Sequence, residues 1–183
     1  MSHGHGAHGD HGSNKGVALL ISVLALVLAF SETLGKNAQT SALAHNIEAS
    51  NLWAFFQAKT IRQTVLRTAA EQTAATSSSE GAKKQVETWR KTADRYQSEP
   101  ETGEGRKELA DRAKAAEKKR DKSLAAYHHF EIASAAVQIA IVMASASIIT
   151  SMPVLVWVAG ALGALGIAFC VIGLWFPTVI HLF

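Results

Sequence analysis

Few side chains in this sequence are of a type and spacing that could do chemistry. Four imidazoles open the chain, His3, His5, His8 and His11, spaced H-x-H-x-x-H-x-x-H among Gly, Ala and Ser. Neutral imidazole is a good ligand for Zn, Cu or Ni, and a flexible strand can gather several rings around one divalent ion. No carboxylate or thiol cluster completes such a site, and no second shell would orient the rings. The stretch therefore reads first as a solubilising, disordered tail over residues 1–15, and only secondarily as a metal gatherer. A second imidazole pair, His128-His129, stands beside Glu131. Adjacent residues on a helix diverge by about 100°, so the two rings cannot face one ion.

Two further polar side chains matter because of where they fall. Glu32 follows the apolar run Val17 to Phe30, and Gln138 is the only side-chain amide in the last two apolar segments. An acidic residue inside a membrane helix is costly and is by default a functional candidate. The plainer reading pairs Glu32 with Lys36 one turn later, at headgroup level. Gln138 reads as glue between helices rather than as the wall of a conduction path. No Gly-rich phosphate loop, HExxH, GxSxG or paired carboxylates in an apolar frame occur, so an enzyme is not expected and no cofactor is implied.

The elements that must position these residues follow from hydropathy. From Ile132 to Phe176 there is no Asp, Glu, Lys or Arg, and the run is broken once by Ser151-Met152-Pro153. A hydrocarbon layer about 30 Å thick takes roughly 20 apolar helical residues, and each half meets that length. Residues 131–151 and 153–177 are thus expected to form a transmembrane hairpin, with Pro153 in the first turn of its helix, where its missing N–H costs nothing. Residues 16–35 are a third span. A signal peptide is the rival there, but the Ala42-Leu43-Ala44 pattern lies too far downstream for cleavage, so an uncleaved anchor is expected. Small residues recur as Ala136, Ala140 and Ala144 and as Gly160, Gly163 and Gly166, which would let helices approach closely.

Charge is confined to the middle. Of 18 Lys and Arg, all but Lys15 lie between Lys36 and Lys122, interleaved with 12 of the 15 acidic residues. That interleaving describes a solvated, ion-paired helical surface and not a nucleic-acid footprint. Cys170 is the one cysteine, which excludes an intrachain disulfide. Within residues 77–130, Ala82 to Gln97 and Arg106 to Phe130 are charged helices separated by a Pro- and Gly-containing turn. Their seams suggest an antiparallel hairpin with Trp89 opposite Ala113 and Val86 opposite Ala116. Lys36 to Gln97 as one rod would reach roughly 93 Å, against roughly 38 Å for Arg106 to Phe130. Residues 36–76 must therefore bend or fold back. Trp53, Phe55, Phe56 and Arg62 mark an amphipathic helix there, starting at Leu52. Ala54, Ala58, Ile61, Val65 and Ala69 form one apolar face, with Lys59, Arg62, Gln63 and Arg67 flanking. It could lie on an anionic bilayer or contact another subunit.

The strings FSETLGKNAQT (Phe30 to Thr40) and NIEASNLWAFFQAKTIRQT (Asn46 to Thr64) resemble an uncharacterised family of bacterial membrane proteins known only as a domain of unknown function. The resemblance covers the whole chain. It implies a bacterial inner-membrane setting and helical architecture, and supplies no activity, substrate or catalytic residues.

The expected fold is an all-α integral membrane protein, with three transmembrane helices and a charged antiparallel helical hairpin between the first and second. The expected function is that of a non-enzymatic, self-associating membrane scaffold, with the lipid bilayer and copies of itself as partners and no nucleic acid. The alternative is a subunit of a small oligomeric channel or transporter. Lysine and arginine near membrane ends stay in the cytoplasm. Lys36 and Lys118-Lys119-Arg120-Lys122 then put the N-terminus in the periplasm and the central helices in the cytoplasm.

Overall fold

The computed structural model describes residues 11–179, with side chains from Lys15 onward. Four helices make up the described residues, with no strand among them: α1 His11–Thr76, α2 Glu80–Gln97, α3 Arg106–Thr150 and α4 Pro153–Trp175. Of these, α1, α3 and α4 are long and apolar enough to cross a membrane. The chain divides into two compact units. One takes both ends of the chain, up to Ser41 and from Lys122 onward; the other is Ala42–Asp121.

In the first unit, Val17, Leu24, Val137, Ala140, Ala144 and Ala159 are buried together, with Leu20, Val27, Ile141 and Leu162 half-buried around them. Large apolar side chains such as Leu19, Val23, Leu26 and Ile149 face outward, the arrangement expected where lipid is the solvent. Close approach is set by glycine. A Cβ at Gly166 would come within 2.5 Å of Val137 Cγ2 and 3.1 Å of the Ala133 carbonyl, and one at Gly163 within 2.5 Å of Leu24 Cδ2. Gly160 faces open space instead. The α3–α4 turn holds Ser151 at a φ of 53°, and Pro153 opens α4 at its first turn.

The second unit differs from the expected hairpin. Ala113 and Ala116 pack with Leu109 against Ala49 and Leu52 of α1, with Trp53 and Phe56 alongside, and not against α2. Gln63 Nε2 donates to the Ala93 carbonyl at 2.9 Å. Lys59 pairs with Glu99, Trp53 with Glu117 and Asn46 with Arg120. Partner numbers rise as α1 numbers fall, so α2 and the start of α3 run end to end along one face of α1, both antiparallel to it. Lengths agree: Ala42 to Thr76 spans about 52 Å at ~1.5 Å per residue, and α2 with Arg106 to Asp121 covers nearly the same distance.

The physical cause is the continuity of α1. Neither Pro nor paired Gly interrupts it from Lys36 to Thr76, so it need not fold back as residues 36–76 were expected to; it stays long enough to serve two partners in turn. Two local devices align those partners. Ser79 caps α2 by accepting from the Ala82 N–H at 3.2 Å. At the α2–α3 junction, the Glu108 carboxylate accepts the Ser98 hydroxyl at 2.6 Å and the Glu99 N–H at 3.2 Å. Those donors, the Ser98 hydroxyl foremost, hold the Glu108 carboxyl below its ordinary pKa of 4.5. Gly103, with φ 66°, takes the left-handed turn position that other residues avoid.

Candidate functional site

Ser31 and Glu32 are consecutive on α1, so their side chains diverge by about 100°. Ser31 turns inward and is buried. Its hydroxyl donates to the Phe130 carbonyl at 3.1 Å and receives Ser134 Oγ at 3.0 Å and Cys170 Sγ at 3.4 Å. One hydroxyl thereby ties α1, α3 and α4 together. Glu32 turns to the margin, where Oε1 accepts from Gln138 Nε2 at 3.2 Å. The two polar residues singled out by hydropathy are thus partners. Glu32 meets Gln138 on α3 rather than Lys36 on its own helix.

Around this pair lies an open groove of about 370 Å³. Glu32, Lys36, Gln39, Tyr127, Glu131 and Gln138 supply its polar lining. Tyr127 donates to Glu131 at 3.4 Å. Two carboxylates, one ammonium and two amides can hold a cation or exchange a proton. Catalysis by a nucleophile needs an adjacent oriented base, and Ser31 is instead engaged with a carbonyl, a hydroxyl and a thiol.

The His128-His129 pair diverges as helix geometry requires. His128 Nδ1 lies 3.6 Å from Glu131 Oε2. His129 is buried on the neighbouring face, stacked on Phe169 at 6.0 Å, with Nε2 3.3 Å from the Pro177 carbonyl and no partner at Nδ1. No group of three metal-ligating side chains occurs among the described residues. The tail histidines His3, His5 and His8, and the side chain of His11, lie outside the described residues.

A family model described as a domain of unknown function, DUF4337, matches residues 13–176. The chain belongs to the DUF4337 family. No curated protein and no solved structure matches it. The matched region includes the three stretches that, among the described residues, are long and apolar enough to cross a membrane, and starts two residues after His11.

Within this DUF4337 chain the aromatic cluster of the second unit serves its own packing. Trp53 Nε1 donates to Glu117 Oε1 at 2.8 Å and meets the Phe56 ring edge-on at 5.4 Å. Lys59, read from sequence as part of a basic flank, is buried between Glu99 at 3.7 Å and Glu104 at 3.8 Å, with Tyr96 5.0 Å away. Gln63 is buried too, receiving Arg106 while it donates to α2. Arg106 also donates to Gln97 at 2.9 Å and sits 4.9 Å from the Phe56 ring centre. Together these residues clamp the α2–α3 junction to α1. Phe55 and Arg62 remain exposed.

The sequence reading placed Ala54, Ala58, Ile61, Val65 and Ala69 on one face but began that helix at Leu52. It therefore missed Leu43 and Ile47, which continue the same face in the unbroken α1. A test of period 3.6 carried back to Lys36 would have found them.

Proposed function

We propose that this chain is a membrane-anchored helical scaffold that acts through protein contact. The observation that carries this reading is the outer face of α1 in the second unit. There Leu43, Ile47, Ile61 and Val65 are 60, 53, 65 and 60 % exposed, on a helix whose opposite face is already filled by α2 and α3. Large apolar side chains in a row on a surface helix mark an interaction site. The buried polar groups support the same reading. Ser31 in one unit, and Lys59 and Gln63 in the other, hold helices to helices.

On this reading the chain sits in a bacterial inner membrane, N-terminus in the periplasm and central helices in the cytoplasm. Lys36 and the Lys118-Lys119-Arg120-Lys122 cluster support that orientation through the positive-inside rule. A cysteine at Ser78 that reacts with an impermeant thiol reagent in intact spheroplasts would reverse it. A second reading, a subunit of a small oligomeric channel or transporter, is favoured by the groove at Glu32, Glu131 and Gln138. Ion flux into liposomes holding the purified protein separates the two. The scaffold reading expects flux equal to that of protein-free vesicles. Flux abolished by Glu32→Gln would replace it with the channel.

A further inference from the structure

We infer that the exposed face of α1 between Thr40 and Gln72 is a parallel, in-register seam for a second copy of this chain. The inference deepens the scaffold reading and rests on it.

The face is long. Leu43, Ile47, Ser50, Ala54, Ala58, Ile61, Val65, Thr68 and Gln72 follow one another at steps of three or four residues. Their mean spacing is roughly 3.6, the natural period of a straight helix, so the row stays on one side of α1 without supercoiling. It extends over about 45 Å at ~1.5 Å per residue, more than the three to four heptads that sustain a helix pair.

Charge decides the occupant. Copies held in one bilayer and related by an axis along its normal present each residue at the same depth. Self-pairing then sets every side chain against its own twin, so any charge on the seam would face a like charge and repel it. Between Asn37 and Thr76, α1 carries five charged residues: Glu48, Lys59, Arg62, Arg67 and Glu71. With Ala54 at the centre of the face, all five lie roughly 80° or more around the helix, at 100° per residue. A seam for a foreign partner has no need to be free of charge along its whole length, and a seam for a twin does.

Size is compatible with this register. Leu43 and Ile47 form a large layer, Ser50, Ala54 and Ala58 a small one, and Ile61 and Val65 a second large one. In register, the two large layers meet their twins and make the contact, with the small layer between them. A bilayer surface is a poorer occupant: beside the row stand Thr40, Asn51, Gln57 and Thr64, and Arg62 is the one cation as near to it as these, against the several lysines and arginines that bind anionic headgroups.

The test uses the full chain in membranes, with Cys170→Ser as background and one cysteine introduced at a time. Ile47→Cys and Ile61→Cys are expected to form disulfide-linked dimers on mild oxidation, at least tenfold more than Glu48→Cys and Arg67→Cys on other faces. Both seam positions are already exposed in the single chain, so these variants should keep their helicity by circular dichroism. Mixed chains carrying Ile47→Cys and Ile61→Cys separately should give no 47–61 link. Such a link would overturn the parallel register. Cysteines that stay free and reagent-accessible would overturn the seam, and so would cysteines shielded from reagent without a homodimer. A 47–61 link, or shielding without a homodimer, leaves the scaffold reading standing; free, accessible cysteines would take away the observation that carries it, and ion flux tests it independently.

Discussion

The two units are built from similar helices but held by different forces. Around Ser31 the interior is made of small residues: Ala133, Ala136, Ala140 and Ala144 are buried, and Gly163 and Gly166 face Leu24 and Val137. In lipid there is no hydrophobic gain from helix contact, so shape and hydrogen bonds must supply the association. In Ala42–Asp121 the core is narrow, with Leu52 and Leu109 as its largest buried apolar side chains, and its rim is ionic and aromatic. There water drives burial, and Lys59 is tolerated inside because two carboxylates and two rings surround it. One unit should therefore be intolerant of added volume and the other of lost volume.

The largest expected effect is Gly166→Leu. Its side chain would enter space held by Val137 and the Ala133 carbonyl, at a cost of about 3 kcal/mol or more. Folded yield in detergent should collapse, while Gly160→Leu, which meets nothing within 4 Å, should purify like the parent. Similar yields for the two would break the contrast. In the other unit, Leu109→Ala removes a fully buried side chain and should cost about 2–3 kcal/mol by thermal unfolding in detergent. Trp89→Ala should cost less, because Trp89 is only half-buried and its expected partner Ala113 packs on α1 instead. The reverse ranking would restore the α2–α3 hairpin.

Smaller still is Ser31→Ala. It removes the hydroxyl that joins three helices and should cost about 1 kcal/mol, since intramembrane hydrogen bonds are individually modest. Smallest is an acid-side effect. Glu108 has a folded pKa below its ordinary 4.5, so its contribution is full above that value and fades as pH falls through the folded pKa. Glu108→Gln should lower the stability of the Ala42–Asp121 unit slightly at neutrality, where the carboxylate's contribution is full, and flatten its pH dependence below about pH 4.5.

How far the sequence was legible follows the same division. The apolar runs and Pro153 give α4 and the spans directly, because a bilayer imposes length and composition on each segment separately. Glu32 and Gln138 stood out as the polar exceptions, although their pairing needed the structure. Helix pairing in the charged region was not legible. The seams of α2 and α3 are real apolar rows, but a row does not name its partner, and α1 offered one long enough for both. The turn from Ser98 to Gly105 contains Pro and Gly and reads as a reversal; the Glu108 carboxylate holds it as a step between helices in line. Lys59 looked like part of a solvated flank because its two acidic partners lie about 40 residues away in that turn.

The claim that the outer face of α1 is a contact surface is tested most directly by mass in lipid nanodiscs. Native mass spectrometry of the parent chain should show a multimer of the 19.5 kDa subunit. The doubly charged variant Ile47→Glu with Ile61→Glu should release the single chain with helicity unchanged, since both positions are exposed before assembly. A parent that is already a single chain, or a variant that keeps the parent's mass, would contradict the account.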